Sequence, residues 1–388
     1  MLKRVKIGDL GDIYTGNTPS KKNIEFYDSE DIMFIKPDIL EFNISKIEKA
    51  NEYISEKARE KARIIPKGSL LVSCIGNIGK LGINNEEVAF NQQINAIVHN
   101  DKIISSKYLA YVLKHNQKKL ESIANAAVVP IINKNQFSEF ELLIHEDLEI
   151  QNKIVTILDK SQGLIDKRKE QIEALDQLVK SHFIEMFGDV ISNKKNYPIK
   201  KLDEITSIIT DGTHQTPTYV DKGYIFLSSK NVTTGKINWD DVKYIPEELH
   251  IKLNKRLEPK LNDILLAKNG TTGVAALVDR ECIFDIYVSL ALIRFNSNIN
   301  PVFMLYMINS DGCRHQFNSS LKGIGVPNLH LSEIRKTKVL LPPIELQNQF
   351  ADFVKQVDKL KFEMENSLKE LEDNFNSLMQ KSFNGELF

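Results

Sequence analysis

The sequence predicts an α+β protein: two tandem mixed α/β globular units, each followed by a long α-helix, the two helices pairing as an antiparallel coiled coil with an internal pseudo-twofold. Three observations lead there. A heptad-spaced apolar run occurs twice, strand-length apolar stretches occur without regular strand–helix alternation, and the second half of the chain restates the first. The expected boundaries are 1–146 for the first globular unit, 147–188 for its helix, 189–198 for a linker, 199–342 for the second unit and 343–388 for the closing helix.

In the first run, Leu158, Ile165, Ile172, Val179 and Met186 recur at every seventh residue, flanked by Ile154, Ile157, Leu164, Leu175 and Leu178. In the second, Phe350, Val357, Met364, Leu371 and Leu378 keep the same period, with Val354, Leu368 and Phe375 four residues on from three of them. Seven-residue spacing sustained over that length specifies a helix with a seam. A helix of about 40 residues is about 60 Å long. The polar residues Ser161, Arg168, Lys361 and Ser382 interrupt the seams and are suited to fixing register, while Gly163 is a soft point.

The repeat is visible in its openings, Val5-Lys6-Ile7-Gly8-Asp9-Leu10 and Ile199-Lys200-Lys201-Leu202-Asp203-Glu204-Ile205. Lys67 to Ser73 leads into Gly76-Asn77-Ile78-Gly79, and Leu261 to Ala267 leads into Gly270-Thr271-Thr272-Gly273, at a constant offset of 194 from Gly68 to Asn262 and from Gly76 to Gly270. Val129-Pro130 is echoed by Val326-Pro327, and Leu148-Glu149-Ile150-Gln151-Asn152 by Ile344-Glu345-Leu346-Gln347-Asn348. A period of half the chain is the mark of duplication, far too long for a solenoid.

Within the globular units, Ile32–Ile35, Ser69–Val72, Tyr224–Leu227 and Ile264–Leu266 read as strands, and Leu142–Ile144 and Val339–Leu341 as the last strand of each unit. Tyr108–Leu113, Val302–Met307, Glu56–Ala62 and Pro246–Leu253 read as helices. Such irregular mixing points to α+β rather than a doubly wound sheet. Pro342-Pro343 suits the entry to the closing helix, and Gly188-Asp189 with Ser192 to Pro198 is turn and linker chemistry.

At 388 residues with 42% hydrophobic and 27% charged side chains, the chain has the composition of a soluble two-domain protein. There is no signal-type apolar segment and no membrane-length span, so a cytoplasmic location is expected. Cys74, Cys282 and Cys313 are far apart and form no C-x-x-C pair, which points to buried thiols rather than a disulfide framework or a zinc cluster. The net charge of −1 conceals bunches of basic residues: Lys57, Arg59, Lys61 and Arg63; Lys114, His115, Lys118 and Lys119; Lys194, Lys195, Lys200 and Lys201; Lys252, Lys255, Arg256 and Lys260. Two bunches per half permit phosphate contacts without a basic chain.

Catalytic patterns are missing. The one Pro-Pro follows Leu341 and precedes Ile344, so the N-P-P-aromatic or D-P-P-aromatic loop that grips a flipped adenine is absent. No G-x-x-x-x-G-K-[ST] phosphate loop occurs, and no [DE]-x-K follows Pro37-Asp38 before Cys74. The eight histidines form no metal-ligand spacing. What remains is an excess of side chains suited to base edges and phosphates near Gly-rich turns.

In the first unit these are Thr18, Lys36, Asn77, Lys80, Asn91 and Gln92, with Thr15, Asn17, Gln93 and Asn95 nearby; in the second, Thr213, His214, Lys230, Asn231, Lys268, Asn269, Thr271 and Thr272, with Gln215 and Thr216. Asn and Gln pair bidentately with adenine, and Lys with guanine or phosphate. The residues alone also fit a non-catalytic coiled-coil scaffold or adaptor without sequence-specific DNA reading.

Taken in order, the two Leu/Ile-Glu-Ile/Leu-Gln-Asn helix openings, Thr210-Asp211-Gly212-Thr213-His214 with Thr216-Pro217, the two Gly-x-x-Gly turns, Gly325-Val326-Pro327-Asn328-Leu329 and Ser382-Phe383-Asn384-Gly385-Glu386-Leu387 form a pattern. The chain resembles the specificity subunit of type I restriction-modification systems over essentially its whole length. The first unit departs in having Thr15-Gly16-Asn17-Thr18-Pro19 for the Asp-Gly-Thr-His series and Ile131-Ile132 for Asn328-Leu329.

The resemblance implies two target-recognition domains, each reading one half of a bipartite double-stranded DNA target. It implies helices that pair through Leu158, Ile165, Ile172, Val179, Phe350, Val357, Met364, Leu371 and Leu378 and dock modification subunits, two in number, with restriction subunits in the full complex. S-adenosylmethionine, ATP and Mg²⁺ would then belong to those partners, and this chain would direct N6-adenine methylation and restriction without catalysing either.

Overall fold

The computed structural model describes residues 2–124, 129–321 and 328–388. Two compact units divide the chain: Met1–Lys169 with Asn366–Phe388, and Glu170–Glu365. Each unit therefore holds one globular part and a portion of both long helices. The echo of Val129-Pro130 at Val326-Pro327 lies outside the described residues.

The helices run over Leu148–Phe187 and Ile344–Phe383, 40 residues each, so the repeat is in register at an offset of 196 at both ends. Asp147 caps the first by accepting from the Glu149 N–H at 2.7 Å. Pro343 precedes the second and its carbonyl accepts from Leu346 and Gln347; a proline costs nothing where its N–H would have no helical partner. Beyond Phe187, Gly188 takes φ +74°, the left-handed stop favoured by glycine.

The fourth residue of each helix explains the shared Leu/Ile-Glu-Ile/Leu-Gln-Asn opening. Gln151 is fully buried and donates to the carbonyls of Ile103 and His145, while Gln347 donates to Pro342 and accepts from the Asn300 N–H. The motif is a buried staple between helix start and globular part.

In the first unit, Gly11–Thr15, Ile94–His99, Leu70–Ser73, Leu81–Asn84 and Ser45–Ile47 form a five-stranded sheet in that order. A second sheet runs Tyr53–Ile54, Ile32–Ile35, Val88–Phe90, Ile64–Ile65, and Leu2–Lys6 pairs antiparallel with Glu141–His145. The second unit repeats this plan with fewer strands. Its four-stranded sheet is Thr206–Asp211, Leu290–Phe295, Ile264–Ala267, Ala275–Leu277, its three-stranded sheet Lys243–Ile245, Tyr224–Leu227, Phe284–Ile286, and Ile199–Lys201 pairs with Lys338–Leu340. The expected helices appear as Ser106–His115, Pro301–Ile308 and Glu247–Asn254, whereas Glu56–Lys61 winds as a tighter 3-10 helix.

The helix pairing is antiparallel. Within the second unit, contacts advance along the first helix as they retreat along the second: Asp176 with Lys361, His182 with Phe353, Phe187 with Phe350. Of the expected seam, Leu158, Ile165, Val179, Phe350 and Val357 are buried, and Ile172, Met364, Leu371 and Leu378 are half-buried. The seam is not a free-standing coil. Ile154, Leu158 and Ile165 share one core with Tyr108, Leu109, Phe375 and Phe383, while Val179, Phe183 and Phe187 share another with Phe303, Phe350 and Val357. Burying each such side chain contributes about 1.5–3 kcal/mol, so the helices are fastened to the domains as well as to one another.

Candidate nucleic-acid interface

In each unit four loops meet at one end of the sheets, and the Gly-x-x-Gly hairpin is their centre. Leu70–Ser73 and Leu81–Asn84 are joined through Gly76 (φ +76°) and Gly79 (φ +83°), and Ile264–Ala267 and Ala275–Leu277 through Gly270 (φ +77°) and Gly273 (φ +87°). Gly79 N donates to Ser73 O at 2.9 Å and Gly273 N to Ala267 O at 2.8 Å, so the two turns close alike. Left-handed backbone at both positions is why glycine brackets each turn.

The second loop begins at Gly16 or Gly212. Added Cβ atoms there would lie 2.2 Å from Asn91 O and 1.9 Å from Ile286 O, so no other residue fits. Thr15-Gly16-Asn17 is thus the structural counterpart of Asp211-Gly212-Thr213 despite the sequence departure. A third loop enters beside it: Asn91 N donates to Ile35 O in the first unit, Tyr287 N to Leu227 O in the second. The fourth, past Pro130 or Asn328, is bridged to the hairpin at Ile75–Ile131 and Asn269–Asn328.

The expected DNA-binding residues divide sharply on this surface. Thr18 and Gln92 are exposed and bonded to each other at 2.8 Å, Asn77 is exposed on the hairpin, and Lys80 is half-buried with Nζ 5.7 Å from the centre of the exposed Phe42 ring. In the second unit His214, Lys230 and Thr271 are exposed, while Thr213, Asn269 and Thr272 are half-buried along the same rim. His214 Nε2 lies 3.4 Å from Asp211 Oδ1, and Thr216 Oγ1 is 3.2 Å from the Tyr287 hydroxyl.

Three expectations are corrected, and a fourth residue, Lys36, is engaged in an ion pair. Asn91 is buried and bonded to Gln93, and Asn231 is buried with its amide on the carbonyls of Asn238 and Asp241; both shape loops from beneath. Lys268 is 5% exposed and its ammonium meets Asp211 Oδ2 at 2.6 Å. Lys36 is ion-paired with Glu52, whose carboxyl it holds below the usual carboxylate range through that hydrogen bond. A polar residue in a Gly-rich loop either faces out or ties the loop down, and sequence spacing does not distinguish the two.

Some members of the first two basic bunches are likewise engaged. Arg59 pairs with Glu56 and Glu87, Lys57 with Asp28, and Lys114 is bonded to Asn43 and lies 4.8 Å from the Phe375 ring centre. Among the described residues no three His, Cys, Asp or Glu side chains are grouped to hold a metal ion, and no helix is long and apolar enough to cross a membrane.

With two matched loop clusters described, comparison with known proteins becomes decisive. The profile of the family described as type I restriction modification DNA specificity domain matches residues 2–175 and 249–373. The chain belongs to this family. It is 25% identical over 405 residues to the type I restriction enzyme MjaIX specificity subunit of Methanocaldococcus jannaschii, covering 98% of this chain and 92% of that protein. Over 180 residues it is 33% identical to the HindI specificity subunit of Haemophilus influenzae, covering 44% of this chain and 38% of that one.

Among solved structures, a chain from work on complex assembly and conformational transition of the type I R-M system superposes with TM-score 0.65 at 14% identity, over 100% of this chain and 98% of that one. The type I restriction-modification S subunit from M. genitalium gives 0.55 at 15% identity, over 99% and 96%. These likenesses establish the fold: two mixed domains with long helices.

Sequence reading missed Asp211, Ser229, Tyr287 and Ser289 as members of the loop cluster. Asp211 was visible inside the Thr-Asp-Gly-Thr-His series, but nothing in the sequence signals that Ser289 Oγ accepts from the Ser229 N–H at 3.0 Å.

Proposed function

We propose that this chain is the DNA sequence-specificity subunit of a type I restriction-modification complex. Each loop cluster reads one half of a bipartite duplex target, and the long helices dock modification subunits, two per chain, with restriction subunits joining in the full complex. The observation that carries this reading is the duplication itself: the same four-loop edge, built around the same left-handed glycines, occurs twice on a chain with two 40-residue helices. Two similar readers on one chain suit a split site better than a continuous one.

On this reading the exposed rim makes the DNA contacts: Thr18, Asn77 and Gln92 in one unit, and His214, Lys230 and Thr271 in the other. Carboxamides and hydroxyls on base edges would supply specificity, and lysines on phosphates would supply affinity. The chain itself catalyses nothing; S-adenosylmethionine, ATP and Mg²⁺ are bound by partner subunits, and the complex works in the cytoplasm on chromosomal and incoming DNA.

Base-resolution mapping of N6-methyladenine in cells with and without an intact copy of the chain tests the proposal. A split motif that disappears with the chain supports it and gives the target. Methylation unchanged by its loss counts against it. Exchange of residues 1–145 for another such unit should then alter one half of the motif alone, and matched heptad insertions in both helices should lengthen the unread spacer.

A further inference from the structure

The two loop clusters are fastened at their base by different chemistry. In the second unit Asp211 closes the strand Thr206–Asp211 and Lys268 opens the hairpin after Ile264–Ala267; their side chains, 10% and 7% exposed, meet at 2.6 Å. Asp211 also lies 3.4 Å from His214 Nε2, and its carbonyl accepts from the Arg256 guanidinium at 2.7 Å. The Lys268 backbone donates to Ser289 O and accepts from Leu329 N. One lysine thus joins the Asp-Gly-Thr-His loop, the hairpin, the 286–289 loop and the segment following Asn328.

In the first unit the same three positions are neutral. Thr15 stands for Asp211, Cys74 for Lys268, and Asn95, paired with Thr15 across the strands, for Ala291, which is paired with Asp211. Thr15 Oγ1 donates to Asn95 Oδ1 at 2.6 Å, and Asn95 Nδ2 reaches Cys74 Sγ at 3.2 Å. Cys74 N donates to Gln93 O just as Lys268 N donates to Ser289 O. A hydrogen-bonded triad does for one loop edge what an ion pair does for the other.

We infer that Lys268 and Asp211 are positioning residues for base reading by the second unit, holding the Thr213–Thr216 loop against the Gly270–Gly273 turn without touching DNA themselves. This rests on the reading of the chain as a specificity subunit. Burial of both charges keeps the pair out of solvent, and a buried ion pair without one partner leaves an uncompensated charge, so the loop and the hairpin part company when either is removed.

The test uses the chain assembled with its modification subunits and duplexes carrying its mapped target, intact or with one base pair changed in either half. A wrong base pair ordinarily costs about tenfold or more in affinity. K268M is expected to cut that discrimination to about twofold for one half of the target and to leave the other half untouched. Its slope of log affinity against log salt is expected to stay that of the unmodified chain, whereas loss of a phosphate contact lowers the slope by about 0.9.

The triple variant D211T/K268C/A291N, which installs the first unit's triad, is expected to restore both folding and discrimination. Retained discrimination in K268M, a fallen salt slope, or a folded triple variant that still does not discriminate would each overturn the inference. An unmodified complex that prefers no duplex would overturn the underlying reading instead.

Discussion

Where the last strand of each unit meets its long helix, the first unit is polar and the second apolar. Tyr108 stands where the second unit has Phe303, and His145 where it has Pro342, the carbonyls of the two accepting alike from Gln151 and Gln347. The cause is a single backbone N–H. Pro342 has no N–H to satisfy, whereas His145 N donates to the Tyr108 hydroxyl at 2.9 Å. That hydroxyl also meets His145 Nδ1 at 3.0 Å. Where one copy has a proline and the other a residue with a backbone donor, a duplicated core turns polar at that one point, and the buried hydroxyl follows from the rule that buried backbone donors are satisfied.

The apolar version gives the largest expected effect. Phe187, fully buried, has ring centres of Phe183, Phe303 and Phe350 at 5.1, 4.7 and 5.7 Å; its counterpart at the end of the other helix, Phe383, has only Tyr108 and His115 at 5.8 and 5.3 Å. Phe187→Ala should cost about 3–5 kcal/mol through lost burial and the cavity left behind. Phe383→Ala should cost less, since fewer aromatic partners are lost. Denaturant unfolding read by hydrogen exchange, resolved between residues 1–169 and 170–365, decides it; equal losses in the two variants break the comparison.

Reciprocal exchange of the hydroxyl comes next. Tyr108→Phe strands the buried His145 N–H, and Phe303→Tyr places an oxygen where the structure already satisfies its neighbours, so each should destabilise its own unit by about 1–3 kcal/mol. A stabilising Tyr108→Phe would show that the hydroxyl is not what satisfies His145.

The same pair makes a pH signature. Burial pushes the His145 pKa below the ordinary histidine value, and His115, half-buried against Phe383, is pushed the same way. A histidine held neutral in the folded state is harmless above its unfolded pKa of about 6.5 and penalises folding as the pH falls through that value toward the depressed one. The first unit should therefore lose stability as the pH falls below about 6.5, and His145→Leu should flatten part of that loss. An unaltered pH profile in His145→Leu would assign the acid sensitivity to His115 alone.

How much of this was legible in advance depended on what each residue's neighbours in sequence could say. The helices were readable because a seven-residue period carries its own geometry, and Asp147, Pro343 and Gly188 sit at their ends. The hairpins were readable because glycines bracket them. Lys268 was misread because Asp211, which buries it, lies 57 residues away, and Asn231 because its acceptors are backbone carbonyls that any sequence provides. Tyr108 against Phe303 was unreadable for the same reason: what decides it is the backbone N–H of His145, which its counterpart Pro342 lacks.

The smallest expected effect concerns the ion pairs between the helices. In the first unit Lys169 and Glu372, 52% and 45% exposed, lie 3.0 Å apart; in the second, Lys361 is only 15% exposed and bonds both oxygens of Asp176. An exposed pair gains little over its hydrated charges, with a median of about 0–1 kcal/mol. Lys361, half sunk in the seam at a position the heptad would give to an apolar residue, has less water to return to, so its coupling should lie near the top of that range and that of Lys169 near the bottom. Double-mutant cycles with Lys361→Met and Asp176→Asn, and with Lys169→Met and Glu372→Gln, measure the two couplings directly. Because Lys361 ties one turn of its helix to the Asp176 turn of the other, removing it should leave stability nearly unchanged while loosening that contact, seen as faster exchange of amides around Val357 and Met364. Equal couplings and unchanged exchange would reduce Lys361 to an ordinary surface lysine.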